Sequence, residues 1–369
     1  MELFLLLLVP VVIGLAGFIF SAIKNDRRYV ISLREFLTLL AVVFLVIGLG
    51  YIMAKYSSTL DQEIWNGRVA LKRQEKVSCE HSYPCNPHPC GCDDKGNCST
   101  CWDTCYEHSY DWDWALYTTN NERVRIQRID RRGTREPPRF TKTKTGDPTA
   151  LTHRFTNYIK ANPWSILRRE GLTEKFKELI PPYPIRIFDY HYLNRFLTPK
   201  DKMSADVARA WNQDLMELNA DLGKKKEVNI IIVAVPTADS SYLHALEEAW
   251  IGGKKNDLVM IFGIPNYPKI DWVRVMSWTS AEELKVALRD KIQEVGNIEK
   301  RTEIIAIAKQ RIETQFVRRK MADFEYLMAG VRPPTWALIL LFILGSVVSG
   351  GLTYFFWKED PFNTGRSRV

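Results

Sequence analysis

Three stretches of this chain, residues 3 to 23, 36 to 56 and 335 to 357, run for about twenty residues each with almost no charge, and nothing else in the sequence restricts the fold as strongly. At a helical rise of ~1.5 Å per residue each can cross the ~30 Å hydrocarbon layer of a bilayer, so three transmembrane helices are expected. The first begins at the second residue, as a secretory signal does. It lacks a basic segment ahead of it, exceeds the apolar core of such signals and offers no small-x-small cleavage site, so it is read as a retained span. No span carries a charge at its centre, which argues against a pore or transporter.

Lys24, Arg27, Arg28 and Arg34 crowd the connection between the first two spans, and Lys358, Arg366 and Arg368 follow the third. The positive-inside rule puts both on the cytoplasmic side, and the N-terminus and the long loop 57–334 outside. Arg318, Arg319, Lys320 and Arg332 pull the other way, but long translocated domains cross largely regardless of charge.

All seven cysteines, Cys79, Cys85, Cys90, Cys92, Cys98, Cys101 and Cys105, open the exterior loop, bracketed by CEHSY at 79–83 and CYEHSY at 105–110. In an oxidising space clustered cysteines pair, so a disulfide-stapled subdomain is the first reading. Seven is odd, which leaves one thiol free or able to join a second chain. Zinc is the second reading: Cys98 and Cys101 have C-x-x-C spacing, and His81 and His108 complete a Cys and His set. The repeated EHSY is expected to hold the two ends together, by strand pairing or by paired histidines.

Residues 57–76 are mixed polar and read as a stalk. DWDWALYTT at 111–119 and RVRIQRID at 123–130 alternate around Asn120 and Asn121 and predict a hairpin. Asp111 and Asp113 then lie on a wet face opposite Trp112 and Trp114. Nine Lys or Arg residues against three acids between 120 and 146 read as a solvated basic hairpin, with anionic headgroups as the alternative contact. Aromatics do not interleave with these cations, so nucleic acid is not an expected partner. Residues 133–148 read as a surface loop, and 149–161 and 173–179 as helices, broken at Asn162, Pro163 and the Pro181-Pro182 pair. The run FDYHYLNRF at 188–196 is expected to pack on a sheet, with His191 a hydrogen-bonded neighbour.

From Ser204 the pattern becomes regular: a helix 205–222 stopped by Gly223, a strand 228–236, a helix 240–253, strands 258–265 and 272–278, and a helix 281–296. Unbroken Ile and Val runs mark strands buried on both faces, and the order gives an α/β sandwich with a mixed sheet. Residues 303–327 read as an amphipathic helix that either joins the domain to the membrane, with 318–320 near headgroups, or simply packs on the domain. VRPP at 331–334 breaks the backbone before the third span.

The strand IIIVAVP, the helix ending LEEAW followed by IGGKKNDLVMIFG, the strand VRVMSW and the closing helix with Leu284, Leu288 and Ile292 resemble the TPM domain family. Its members are membrane-tethered modules that usually face the periplasm, thylakoid lumen or cell exterior. The resemblance covers residues 228–295 and implies a module more than a reaction, since members are variously linked to phosphate-ester hydrolysis, photosystem repair and receptor accessory roles. Where the family usually reads Asp-Asn-Gly this chain has Asn256, Asp257 and Leu258, so no family-type metal or phosphate site is carried over. Through the EHSY bracket, REPPRF at 135–140 and GGKKNDLVMIFG at 252–263, the chain also looks like membrane proteins of tailed bacteriophages.

Candidate chemistry is sparse. Asp239 and Asp257 could meet at one edge of the sheet and hold Ca²⁺ or Mg²⁺, although Asp239 is first read as the cap of the helix at Ser240. Lys254 and Lys255 in GGKKND could meet an anion; a structural turn is the first reading. His244 and Glu248 share a helix face with no nucleophile beside them. The expected architecture is two spans (1–56), a stalk and cysteine-rich subdomain (57–110), a hairpin and aromatic-rich region (111–203), the TPM-like α/β domain (204–300), a connecting helix (301–334), and the third span with its tail (335–369). The expected function is a non-enzymatic binding or envelope-modifying module with a protein partner in the envelope, contact with membrane lipid and scope for oligomers, with zinc or calcium as the only cofactors in view. A metal-dependent phosphatase-like hydrolase is the alternative.

Overall fold

The computed structural model describes residues 2–24, 31–92, 98–162, 172–199, 203–359 and 361–362. Arg27, Arg28, Arg366 and Arg368, on which the orientation rests, and the breaker Pro163 lie outside the described residues. In chain order the first elements are α1 (Glu2–Lys24), α2 (Leu33–Ser58), β1 (Leu60–Val77), β2 (Ser82–Cys92), β3 (Cys98–Tyr106), β4 (Asp111–Thr118), β5 (Arg123–Ile126), α3 (Pro138–Lys142) and β6 (Pro148–Thr156). Short pieces follow: α4 (Tyr158–Ala161), α5 (Leu172–Lys175), β7 (Ile187–Phe188), β8 (Tyr192–Leu193) and β9 (Phe196–Leu197). The remainder is α6 (Ala205–Lys226), β10 (Asn229–Val235), α7 (Tyr242–Trp250), β11 (Asp257–Gly263), β12 (Trp272–Ser277), α8 (Glu282–Val295), α9 (Arg301–Gln315), a 3₁₀ segment Met321–Gly330 and α10 (Thr335–Glu359).

The chain divides into two compact units. One comprises Met1–Asp61, Arg154–Arg168 and Met321–Val369, and its helices α1, α2 and α10 are long and apolar enough to cross a membrane. Large apolar side chains such as Phe4, Leu45 and Ile343 point outward, where hydrocarbon rather than water is the expected solvent. Against one another the helices use small residues, which let backbones approach closely. A Cβ at Gly17 would lie 2.2 Å from Thr353 Cγ2, and the buried Ser349 hydroxyl donates to the Pro10 carbonyl at 2.6 Å. A capping box fixes the start of α2: the Ser32 amide donates to Glu35 Oε2 at 2.8 Å, and the Glu35 amide to Ser32 Oγ at 3.3 Å.

The other unit, Gln62–His153 and Arg169–Lys320, is built on two four-stranded sheets ordered β5-β4-β1-β6 and β12-β11-β10-β9. In the second, β10 runs parallel to β9 and β11, and β11 antiparallel to β12, the mixed sheet expected. Ile230 and Ile232 of β10 face one core with Trp211, Leu288 and Ile304 from α6, α8 and α9, while Ile231 and Val233 face Tyr242 and Leu246 of α7. Both faces are covered, which is why the strand is apolar at nearly every position. Burying each such side chain contributes about 2 kcal/mol.

Several local expectations are corrected. Residues 57–76 are no stalk, because β1 fills most of them and lies between β4 and β6. Its polar residues are buried with partners, as buried polar groups must be: Asn66 Nδ2 donates to Asn219 Oδ1 at 3.1 Å and to the Val228 carbonyl at 3.0 Å. The helix expected at 149–161 is mostly the strand β6, whose Thr149, Thr152, Phe155 and Thr156 suit a pleated surface. Gly223 does not stop α6, which runs to Lys226 and ends at Glu227, φ 51°, in the left-handed region. The glycine instead allows β1 to approach, since a Cβ there would sit 2.1 Å from the Asn66 carbonyl oxygen. The connecting helix ends at Gln315 rather than 327, because Phe316 turns into the core and Thr279 Oγ1 donates to the Val317 carbonyl at 2.8 Å. Arg318 then pairs with Glu63 and Glu227 instead of facing headgroups. The aromatic run at 188–196 gives β8 and the start of β9, and His191 Nδ1 lies 2.6 Å from the Asp189 carbonyl oxygen.

Candidate functional site

Between β1 and β4 the chain makes an excursion, the antiparallel hairpin β2–β3. Three disulfides cross it, Cys85–Cys105, Cys90–Cys101 and Cys92–Cys98, with Cα separations of 5.8, 5.7 and 3.9 Å. Ladder pairing decides which cysteines meet: Cys92 stands opposite Cys98, and the other pairs are close neighbours across the ladder. The CEHSY and CYEHSY brackets form the base of this arm, with Ser82 opposite Tyr106 and the Glu107 amide donating to the His81 carbonyl at 3.0 Å. Strand pairing is thus how the repeat closes. Cys98 and Cys101 are taken by different bridges, so the zinc set expected from them with His81 and His108 is not assembled. Tyr83, Trp102 and Tyr106 are exposed on the arm, the last two on one face because they are four residues apart on a strand.

The seventh cysteine lies at the arm's base. Cys79 is free but only 6% exposed, so it is not presented at the surface for a second chain. Its Sγ is 3.5 Å from the His81 carbonyl oxygen and 3.8 Å from His108 Nδ1, and the same Nδ1 is 3.2 Å from Asp111 Oδ1. The three ligand-type atoms of Cys79, His108 and Asp111 all lie within 4.8 Å of one another. Asp111 is fully buried, and its second oxygen, Oδ2, accepts from the Glu80 amide at 3.2 Å and from Arg128 Nη1 at 3.0 Å. Burial alone would raise its carboxyl, but the Glu80 amide and the Arg128 guanidinium hold it below the ordinary value.

The face expected to be wet is therefore buried. Asp113 is 5% exposed and meets Arg128 at 2.7 Å, Arg125 at 3.0 Å and Arg123 at 3.1 Å. Arg131 pairs with Glu107, and Arg139 with Asp189. The basic run is in good part a lattice of ion pairs rather than a solvated stripe. A surface groove of about 590 Å³ lined by Glu80, His81, Arg125, Arg128, Asp130 and Arg131 borders the same residues.

The other candidates do not converge. Parallel pairing sets Asp257 level with Asn229 at the start of β10, whereas Asp239 follows the end of that strand at Val235. At ~3.3 Å per residue the two levels are about 20 Å apart, so no two-carboxylate cation site forms. Asp239 accepts from Lys175 and from the Ser241 amide at 2.9 Å, which hold its carboxyl down to about 2; it is not the cap expected of it, because α7 starts at Tyr242 with Ser241 as N-cap and Asp239 only braces the turn before it. Asp257 is enclosed, with Asn229 Nδ2 donating to Oδ1 at 2.9 Å, the Lys254 amide to Oδ2 at 2.7 Å and the Tyr183 hydroxyl to Oδ2 at 2.8 Å, and burial pushes its carboxyl up to about 6. Lys254 Nζ lies over the Tyr183 ring at 5.1 Å, and Lys255 Nζ is 3.7 Å from Glu63, so GGKKND is a structural turn with its cations engaged internally. His244 meets Glu247 at 3.1 Å, and Glu248 accepts from the Thr173 amide at 3.2 Å.

Two buried polar clusters were not foreseen. Glu63 Oε1 accepts from Trp65 Nε1 at 3.0 Å and lies 3.1 Å from His153 Nδ1, beside Lys255 and Arg318, with His153 stacked on Trp65 at 3.7 Å. Arg195 is 1% exposed and donates to Asn66 Oδ1 at 2.6 Å, and burial lowers its guanidinium to about 10. Both depend on β1, so reading that strand as a linker hid them. Comparison of the chain with protein-family models, curated proteins and solved structures finds no match.

Proposed function

We propose that this is a three-pass membrane protein whose disulfide-bearing unit lies outside the cytoplasm and acts as a non-catalytic binding module in the envelope, the arm β2–β3 carrying the contact with a protein partner. The observation that carries this reading is the arm itself: six cysteines in three bridges on a loop between apolar helices, a combination that suits an oxidising compartment. Exposed Trp102 and Tyr106 supply the residue types enriched at protein contacts. The resemblance to TPM modules and to membrane proteins of tailed phages supports the same reading, with modification of the host envelope as the role in a phage. The hydrolase alternative draws no support from Asp239 and Asp257, which stand at opposite ends of the sheet.

The test is reduction of intact cells with a membrane-impermeant phosphine followed by a bulky impermeant maleimide. The expected result is a mass increase that needs the exterior reductant but not lysis. Labelling that appears only after the membrane is opened refutes the exterior placement. Photo-crosslinking from position 102, weakened by Tyr106→Ala, identifies the partner.

A further inference from the structure

We propose that Cys79, His108 and Asp111 bind zinc and staple the base of the disulfide arm to the sheet from which it emerges. Cys79 precedes β2, His108 follows β3 and Asp111 opens β4, where it pairs with Val77 of β1. The ligands therefore come from the arm's entry, its exit and the strand that receives it. A metal there closes the excursion at the point where strand pairing begins.

Three observations carry the assignment. The first is spacing. A tetrahedral zinc with bonds of about 2.3 Å to sulfur and about 2.0 Å to nitrogen and oxygen has ligand-to-ligand edges of roughly 3.3 to 3.6 Å. The sulfur–nitrogen and nitrogen–oxygen separations of 3.8 and 3.2 Å bracket that range. The second is hydrogen bonding that closes only through poor contacts. Both contacts fall on the same ring nitrogen, Nδ1, which carries at most one proton; when it faces Asp111, the thiol is left to the His81 carbonyl at a long 3.5 Å. Asp111 Oδ1, on a fully buried side chain, has the His108 nitrogen 3.2 Å away and the Cys79 thiol facing its carboxyl, but accepts no hydrogen bond of good geometry, a deficit that a cation would remove. The same geometry speaks against a Cys-His-Asp nucleophile, because that relay uses the two different nitrogens of the imidazole.

The third is the surrounding shell. Oδ2 of Asp111 is held by the Glu80 amide and Arg128, which aims Oδ1 at the cluster, and the His81 amide donates to Cys79 Sγ at 3.4 Å. Outer contacts of this kind orient ligands and stabilise a thiolate. The donor set selects the metal: calcium and magnesium do not take thiolate, copper(I) favours sulfur over carboxylate, and one thiolate, one imidazole and one carboxylate suit zinc. Thiolate and carboxylate together neutralise its charge, and a fourth position remains for water.

Full-length protein in detergent, its disulfides intact and its metal removed by a chelator, is titrated with cobalt(II). The expected result is saturation at one equivalent with a sulfur-to-cobalt charge-transfer band, displaced by zinc. Cys79→Ser abolishes the band, and His108→Gln weakens binding by more than about tenfold. As an independent readout, zinc slows alkylation of Cys79 by about tenfold or more, and chelation restores it. A wild-type protein that gives no such band, a band that survives Cys79→Ser, or alkylation indifferent to zinc overturns the proposal. The wild-type titration decides the question even where a variant fails to fold.

Discussion

At position 257 a carboxylate sits where water does not reach, and burial raises its pKa to about 6 from an ordinary 3.8. The folded state thus holds this proton more tightly than the unfolded chain. The stability it contributes is complete below about pH 4 and is lost as pH rises through 6, a change of about 3 kcal/mol. Asp111, Asp113 and Asp221 are shifted downward and titrate in the opposite sense, so the comparison must be with Asp257→Asn. Relative to the wild type, that variant is expected to gain about 2 to 3 kcal/mol in denaturant unfolding between pH 4 and pH 7; a difference that does not vary with pH would show that the proton is not held. The sequence marked Asp257 as notable but for the wrong chemistry. An acid beside two lysines reads as a ligand site, whereas its fate was decided by Asn229 and Tyr183, 28 and 74 residues away.

The element most exposed to its surroundings is the arm β2–β3. Among its described residues none is fully buried, so it has no core of its own and depends on its bridges, as small domains without a core do. Mild reduction is therefore expected to make residues 82–106 the first site of proteolytic nicking while β10, β11 and α8 stay resistant. First cleavage elsewhere, or an arm that resists when reduced, would count against this. The arm was legible because cysteine spacing and the repeated EHSY are local signals. The strands β1 and β6 were not, because Asp61, Glu63 and Asn66 of β1 are buried polar residues whose partners come from elsewhere in the chain, and period-two alternation disappears when both faces of a strand are covered.

On the scale of the whole molecule, the extramembrane unit depends on a segment that looks dispensable. Asn66 bonds to Asn219 and Val228, and Arg68 pairs with Glu217 at 2.9 Å and Asp221 at 2.6 Å, so β1 ties one sheet to the helix and strand of the other. A fragment 78–320 is expected to aggregate or to lack cooperative unfolding, and a fragment 60–320 to keep it, as read by circular dichroism during thermal melting. Equal behaviour of the two would return residues 60–77 to the status of a linker. The sequence by itself determined the three apolar helices, the hairpin at 111–126 and the strand and helix order from Ser204 onward, because hydrophobic length and periodicity are properties of contiguous residues. Only the tertiary structure decided which cysteine stays free, where Asp239 and Asp257 stand, and that Cys79, His108 and Asp111 meet. Those outcomes follow from strand pairing and direction, which join residues far apart in the chain.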